Sequence, residues 1–142
     1  SSLGNHDYGL YHKWESEQAK QKNFLDIVNL HKEMGWNLLR NEHEVLDIQG
    51  QKLGIVGVEN WGHSLRFPKT GDLEKAKKGM PDVPVKLLLS HDPSHWEAKV
   101  LPEHKDIDVV FAGHTHGAQF GIENRFVKWS PVQYVYKQWA GL

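Results

Sequence analysis

Three short clusters concentrate the chemistry in this chain of 142 residues: Gly4-Asn5-His6-Asp7, Ser90-His91-Asp92 and Gly113-His114-Thr115-His116-Gly117. Their residue types suit a metal. Neutral imidazole is the commonest protein ligand for zinc, iron and related ions, and an asparagine carbonyl oxygen suits harder cations. Gly113 and Gly117 bracket the third cluster, so the glycines are expected to take the sharp backbone there. An extended His-x-His then puts both imidazoles on the same side. Ten histidines and no cysteine restrict any metal site to nitrogen and oxygen donors and remove disulfides.

These clusters must be positioned by regular elements, and the hydrophobic pattern supplies them. Phe24, Ile27, Val28 and His31 recur at helical spacing within residues 15–34, with Leu30 and Met34 widening the stripe and Gly35 placed to stop it. Val45-Leu46-Asp47-Ile48 and residues 53–58 read as two strands of a hairpin turning at residues 49–52. Residues 59–71 have no period and predict a long loop, and a short helix follows from Asp72 to Lys78, with Asp72 as its N-cap. Residues 85–90 and 107–112 are near-continuous apolar runs, predicting strands buried on both faces. Pro93 opens a helix to about Val100, and residues 119–136 suggest further strands and turns. Alternating strands and helices give an α/β layered fold. Two of the clusters follow predicted strands directly, and the carboxyl ends of strands in open α/β sheets are where ligands bind.

Composition excludes several classes. Net charge is −1, with 17 Lys and Arg against 18 Asp and Glu, so no broad basic face points to nucleic acid. No apolar run reaches the roughly 20 residues of a membrane span. With 39% hydrophobic residues, the chain reads as a soluble globular protein. Trp14, Trp61, Phe67 and Trp96 fit either core packing or a groove for an apolar substrate.

The ordered trio of Gly4-Asn5-His6-Asp7, Leu89-Ser90-His91-Asp92-Pro93 and Gly113-His114-Thr115-His116-Gly117 resembles the last three signature motifs of the calcineurin-like metallophosphoesterases. The resemblance implies the C-terminal portion of that family's layered α/β/β/α sandwich, with residues 1–142 as a single domain. It implies hydrolysis of a phosphomonoester or phosphodiester substrate at two divalent ions (Mn, Fe, Zn, Co or Ni) that activate the attacking hydroxide. By the same resemblance Asn5, His91 and His114 would bind one ion and His116 the other. His6 would contact the phosphate and act as general acid, with Asp7 holding its ring. The lesser alternative for Asp7 is to cap a helix starting near Tyr8. His95 lies four residues after His91, but Pro93 opposes a helical zinc pair there, which leaves His95 as a first-turn residue and a candidate substrate contact.

The family's Asp-x-His and bridging Gly-Asp motifs belong before Asn5, where only four residues stand, and Gly71-Asp72 comes in the wrong order. The parent protein is therefore expected to be longer at both ends, cytoplasmic or anchored to a membrane through an N-terminal segment. The four inherited ligands are all neutral, so two divalent ions would lack a liganding carboxylate to offset their repulsion. The isolated chain is expected to hold at most one ion and to hydrolyse phosphoesters poorly. A non-catalytic scaffold that keeps the fold is the alternative reading, and an unrelated mononuclear zinc hydrolase relying on Asp92 ranks behind it.

Overall fold

The computed structural model describes residues 1–64, 66–117, 119 and 121–136. They divide into two compact units, Ser1–Ala112 and Gly113–Leu142. The first unit is α/β. Its elements are a 3-10 turn Asn5–Tyr8, α1 (Glu17–Glu33), β1 (Glu42–Ile48), β2 (Gln51–Gly57), α2 (Leu73–Lys77), β3 (Val85–Leu89), a π-helical stretch Trp96–Val100 running into α3 (Leu101–Glu103), and β4 (Val109–Phe111).

The sheet is mixed, in the order β1-β2-β3-β4, with β1 antiparallel to β2 and the other pairs parallel. The β1–β2 hairpin closes on two residues, because Ile48 pairs with Gln51. Both central residues have positive φ, Gln49 at 55° and Gly50 at 83°, the backbone of a type I′ turn. Asp47 Oδ1 accepts the Gly50 amide at 2.8 Å and locks the reversal. The turn falls within the predicted residues 49–52; β1 ends at Ile48 as the apolar pattern indicated but begins earlier, at Glu42, and β2 begins nearer the turn, at Gln51.

One face of the sheet carries the core. Val56, Leu88 and Val110 point to α2 and the π-helical stretch, where Leu73, Ala76, Val100 and Ile107 close a cluster with Trp96 against it. Each fully buried aliphatic side chain contributes about 1.5–3 kcal/mol by leaving water. Asp72 caps α2 as expected, its Oδ1 accepting from Lys75 N at 2.9 Å.

The other face corrects the sequence reading. Register puts Leu46, Ile55, Val85, Leu87, Val109 and Phe111 side by side there. Val85 is 40% exposed, Val109 44% and Phe111 57%, so β3 and β4 are not buried on both faces. An apolar run tells that both faces avoid water; it does not supply the layer that covers the second one. In α1 the predicted stripe is half-buried at Phe24, Ile27, Val28 and His31, whereas Leu30 and Met34 are exposed, because the helix lies on the surface and buries only a narrow edge.

The predicted helix after Pro93 runs on to Glu103 and widens to π geometry from Trp96, with Leu101 N bonding Trp96 O. In the second unit, β5 (Ile122–Glu123) pairs antiparallel with β6 (Lys128–Trp129), and a 3-10 turn Pro131–Tyr134 follows. Among the described residues no helix is long and apolar enough to cross a membrane.

Candidate metal centre

In the first unit, the site begins at the 3-10 turn Asn5–Tyr8. Gly4 N donates to Asp7 Oδ2 at 2.8 Å while Asp7 N donates to Gly4 O at 3.2 Å, a reciprocal pair that winds the chain tightly. Gly9 (φ 66°) ends the turn, its amide bonding His6 O, and Trp14 Nε1 holds the reversal through Gly9 O at 2.7 Å. Asn5 is thereby buried, at 1% exposure, at the turn's inner face.

The second part comes from the end of β3. Ser90 N continues the ladder by donating to Phe111 O at 3.1 Å, and the chain then leaves the sheet at His91. His91 and Asn5 meet across 86 positions of sequence, with Nε2 of the ring 2.9 Å from Oδ1 of the carboxamide. This approach requires a glycine at position 4, since a Cβ there would lie 2.8 Å from the His91 ring.

That separation admits two arrangements. A protonated Nε2 can donate to Oδ1. Equally, two ligand atoms about 2.1 Å from one divalent ion, at right angles, lie about 3.0 Å apart, and both atoms are of the type such ions take. The pair therefore fits a divalent ion as adjacent ligands once Nε2 gives up its proton. Among the described residues no group of three or more His, Asp or Glu side chains is arranged to hold a metal.

Around this pair, His6 stacks on Tyr11 with ring centroids 4.2 Å apart and planes 11° from parallel. The hydrogen bond described for Asp7 goes to the Gly4 amide, so its carboxylate secures the turn; it was expected at the His6 ring. Tyr11 also takes a hydrogen bond from Asn5 Nδ2, at 2.8 Å, a contact the motifs did not foretell. The available signal was Gly9, which turns the chain back over the motif.

His95 is 2% exposed, its Nδ1 2.9 Å from Ser90 Oγ and its ring stacked on Trp61 at 4.7 Å. Burial, with the His104 charge adding to it, lowers its pKa to about 4, so the ring is neutral near pH 7. So deep a ring offers a ligand little surface; its contacts brace the strand end that carries His91. Trp96 packs against the core and Trp61 covers His95, so two of the four aromatic candidates serve packing.

The long loop of residues 59–71 is tied down by Asn41, itself in left-handed backbone at φ 58°. Asn41 Oδ1 accepts from Glu59 N and Asp72 N, and its Nδ2 donates to Thr70 O. Tyr8 OH accepts from Asn60 N at 3.2 Å and lies 3.1 Å from Thr70 Oγ1, joining the motif turn to that loop. Burial raises the Tyr8 pKa despite both hydrogen bonds.

In the second unit, the histidine cluster departs from expectation. The segment is not extended. The left-handed backbone falls on the histidines themselves, His114 at φ 67° and His116 at φ 59°, where the glycines were expected to take it. Successive side chains do not alternate in such a backbone, so the same-side argument for the two rings fails. His116 Nδ1 lies 2.7 Å from Gln119 Oε1, and the His114 ring meets Tyr136 edge-on at 5.8 Å.

Comparison with known proteins bears on what these residues do. The family model described as calcineurin-like phosphoesterase matches residues 1–118. The chain is 29% identical over 130 residues to the uncharacterized protein YpbG of Bacillus subtilis, covering 92% of this chain and 41% of that one. It is 29% identical to a zebrafish (Danio rerio) transmembrane protein with metallophosphoesterase domain, over 83% of this chain and 25% of the relative. An uncharacterized metallophosphoesterase of Helicobacter pylori is 31% identical, over 82% of this chain and 26% of its own. The chain thus spans less than half the length of each of these relatives. No solved structure matches.

Proposed function

The chain belongs to the calcineurin-like phosphoesterase family, and on that premise we propose that it carries the Asn/His metal ligands and the general acid of a phosphoesterase centre. The observation that carries this reading is the Asn5–His91 contact, two residues from separate motifs brought to 2.9 Å at the carboxyl end of β3. By the family resemblance Asn5, His91 and His114 would hold one divalent ion and His116 the second. Bound divalent ions supply charge stabilisation at the phosphoryl oxygens and make an attacking water more acidic.

The chain's own residues do the rest. Asn5 and His91 present oxygen and nitrogen donors from a turn and a strand end, both fixed by backbone hydrogen bonds. His6, on the same turn, gives its proton to the leaving ester oxygen as the oxygen of a water that has lost one proton to bulk solvent bonds to phosphorus and the P–O ester bond breaks; His6 then regains a proton from solvent. Asp7 acts through the turn, holding Gly4 and so the position of His6. The four ligands of this reading are all neutral, so two divalent ions would have no liganding carboxylate among them to offset their repulsion, and these four residues retain at most one. Whether the natural ester is a mono- or diester is decided by groups other than the ligands.

The test separates binding from chemistry. In the full-length protein His6→Ala binds divalent metal as the wild type does, measured by calorimetric titration, yet loses about 10²–10⁴-fold in turnover of an aryl phosphodiester or monoester. Equal turnover in wild type and variant would remove His6 from the mechanism. Absence of divalent metal binding in the wild type would remove the whole reading.

A further inference from the structure

We infer that the leaving group of the ester carries a flat aromatic ring, seated against Tyr11 and Phe67 beside His6. The inference rests on the phosphoesterase reading above and deepens it by naming a substrate class.

The general acid fixes where the leaving group must begin. An imidazole N–H points outward in the plane of its ring, so an ester oxygen accepting from His6 lies close to that plane. The Tyr11 ring runs 11° from parallel to the same plane, with 4.2 Å between centroids. At its other end the Tyr11 hydroxyl meets Asn5 Nδ2 at 2.8 Å. One side chain thus borders both the proposed acid and a proposed ligand. A group attached to the leaving oxygen starts within reach of its ring.

The surroundings make this a surface for a guest. His6 and Tyr11 are both exposed, Tyr11 at 59%, and Phe67 is half-buried. Phe67 stands 6.2 Å from Tyr11 and is tilted by 42°, so the two rings form an open corner. A third flat ring can lie face-on to one wall and edge-on to the other, the two arrangements that aromatic rings prefer. A saturated ring offers neither a π face nor a polarised edge. Both walls are braced from behind. Trp14 Nε1 donates to the Gly9 carbonyl just ahead of Tyr11, and the buried Asn60 donates through Nδ2 to the carbonyl of Pro68, next to Phe67. Trp14, Trp61 and Trp96 are engaged within the fold, which leaves Phe67 of the four aromatic candidates to meet a substrate.

The test compares benzyl phosphate with cyclohexylmethyl phosphate, and dibenzyl phosphate with bis(cyclohexylmethyl) phosphate, on the full-length protein with Mn²⁺. Each pair shares a carbon skeleton and has leaving alcohols of similar acidity, so intrinsic reactivity is matched while the shape and π face of the ring differ. The wild type is expected to favour the benzyl ester in kcat/KM by about fivefold or more. Phe67→Leu should at least halve that preference, and Tyr11→Leu should bring it within about twofold. The readout is a ratio within one preparation, so poor folding or a disturbed His6 lowers both rates and leaves it intact. Calorimetric binding of benzylphosphonate against cyclohexylmethylphosphonate gives the same ratio without turnover, for any variant too slow to assay. The inference alone is overturned if the wild type hydrolyses both esters of a pair equally well, or if either variant leaves the preference unchanged. If none of the four esters is hydrolysed, the phosphoesterase reading falls and this inference falls with it.

Discussion

His95 is a buried base whose protonation the fold resists, and its effect on stability has a definite sign. Its folded pKa of about 4 lies below the ordinary histidine value of 6.5. Between those values the unfolded chain binds a proton that the folded chain refuses, so stability falls as pH drops through that window and levels off below it. The loss is on the order of 3 kcal/mol. Thermal unfolding followed from pH 7.5 to 4 should show it (roughly the window set by the reference pKa), and His95→Gln should flatten the curve over that range; an equally steep curve in the variant would assign the acid sensitivity elsewhere. Residue types and order singled out Asn5 and His91 from sequence, and the structure brings these two side chains together. The partners of Asp7 and the contact from Tyr11 were not legible, since they follow from how tightly the 3-10 turn winds. Nor was the backbone at His114 and His116, where neighbouring glycines suggested that the histidines would be spared the left-handed region.

At the scale of elements, the hairpin and the capped helix were readable because their signals are local. Asp72 sits three residues before the amide it caps, and the polar turn at Gln49-Gly50 interrupts two alternating runs. That turn is also suboptimal. Gln49 holds φ 55°, a conformation that costs most L-residues about 1 kcal/mol or more and that asparagine tolerates better. Gln49→Asn is expected to raise the unfolding free energy by about 0.5–1 kcal/mol, seen as a higher denaturant midpoint with unchanged slope. The π-helical stretch was less accessible. Nothing in Trp96–Val100 forbids an ordinary α-helix, and the wider turn appears where Pro102 withholds an amide from the ladder. The burial of β3 and β4 was misjudged for another reason: periodicity shows what a strand can bury, and only the assembled layers show what it does bury.

For the whole molecule, the consequence is an apolar sheet face that the described residues cover only in part, with Val85, Val109 and Phe111 left exposed. Residues 1–142 produced by themselves should bind a hydrophobic dye such as ANS and self-associate as concentration rises. Replacing Val109 with Thr and Phe111 with Lys should reduce both effects, with a change in stability of no more than about 0.5 kcal/mol, because both residues are largely exposed. Dye fluorescence and sedimentation would measure this; weak dye binding that ignores the substitutions would mean the face is inert. The mixed sheet has a temporal meaning too. The β1–β2 hairpin closes on two residues, the kind of event that takes microseconds, whereas β3 and β4 join by parallel pairing across long intervening segments. The Asn5–His91 contact spans 86 positions and depends on the far end of β3. It can therefore close only after the slow pairings are made, and the chemistry of the centre becomes a late readout of a finished fold.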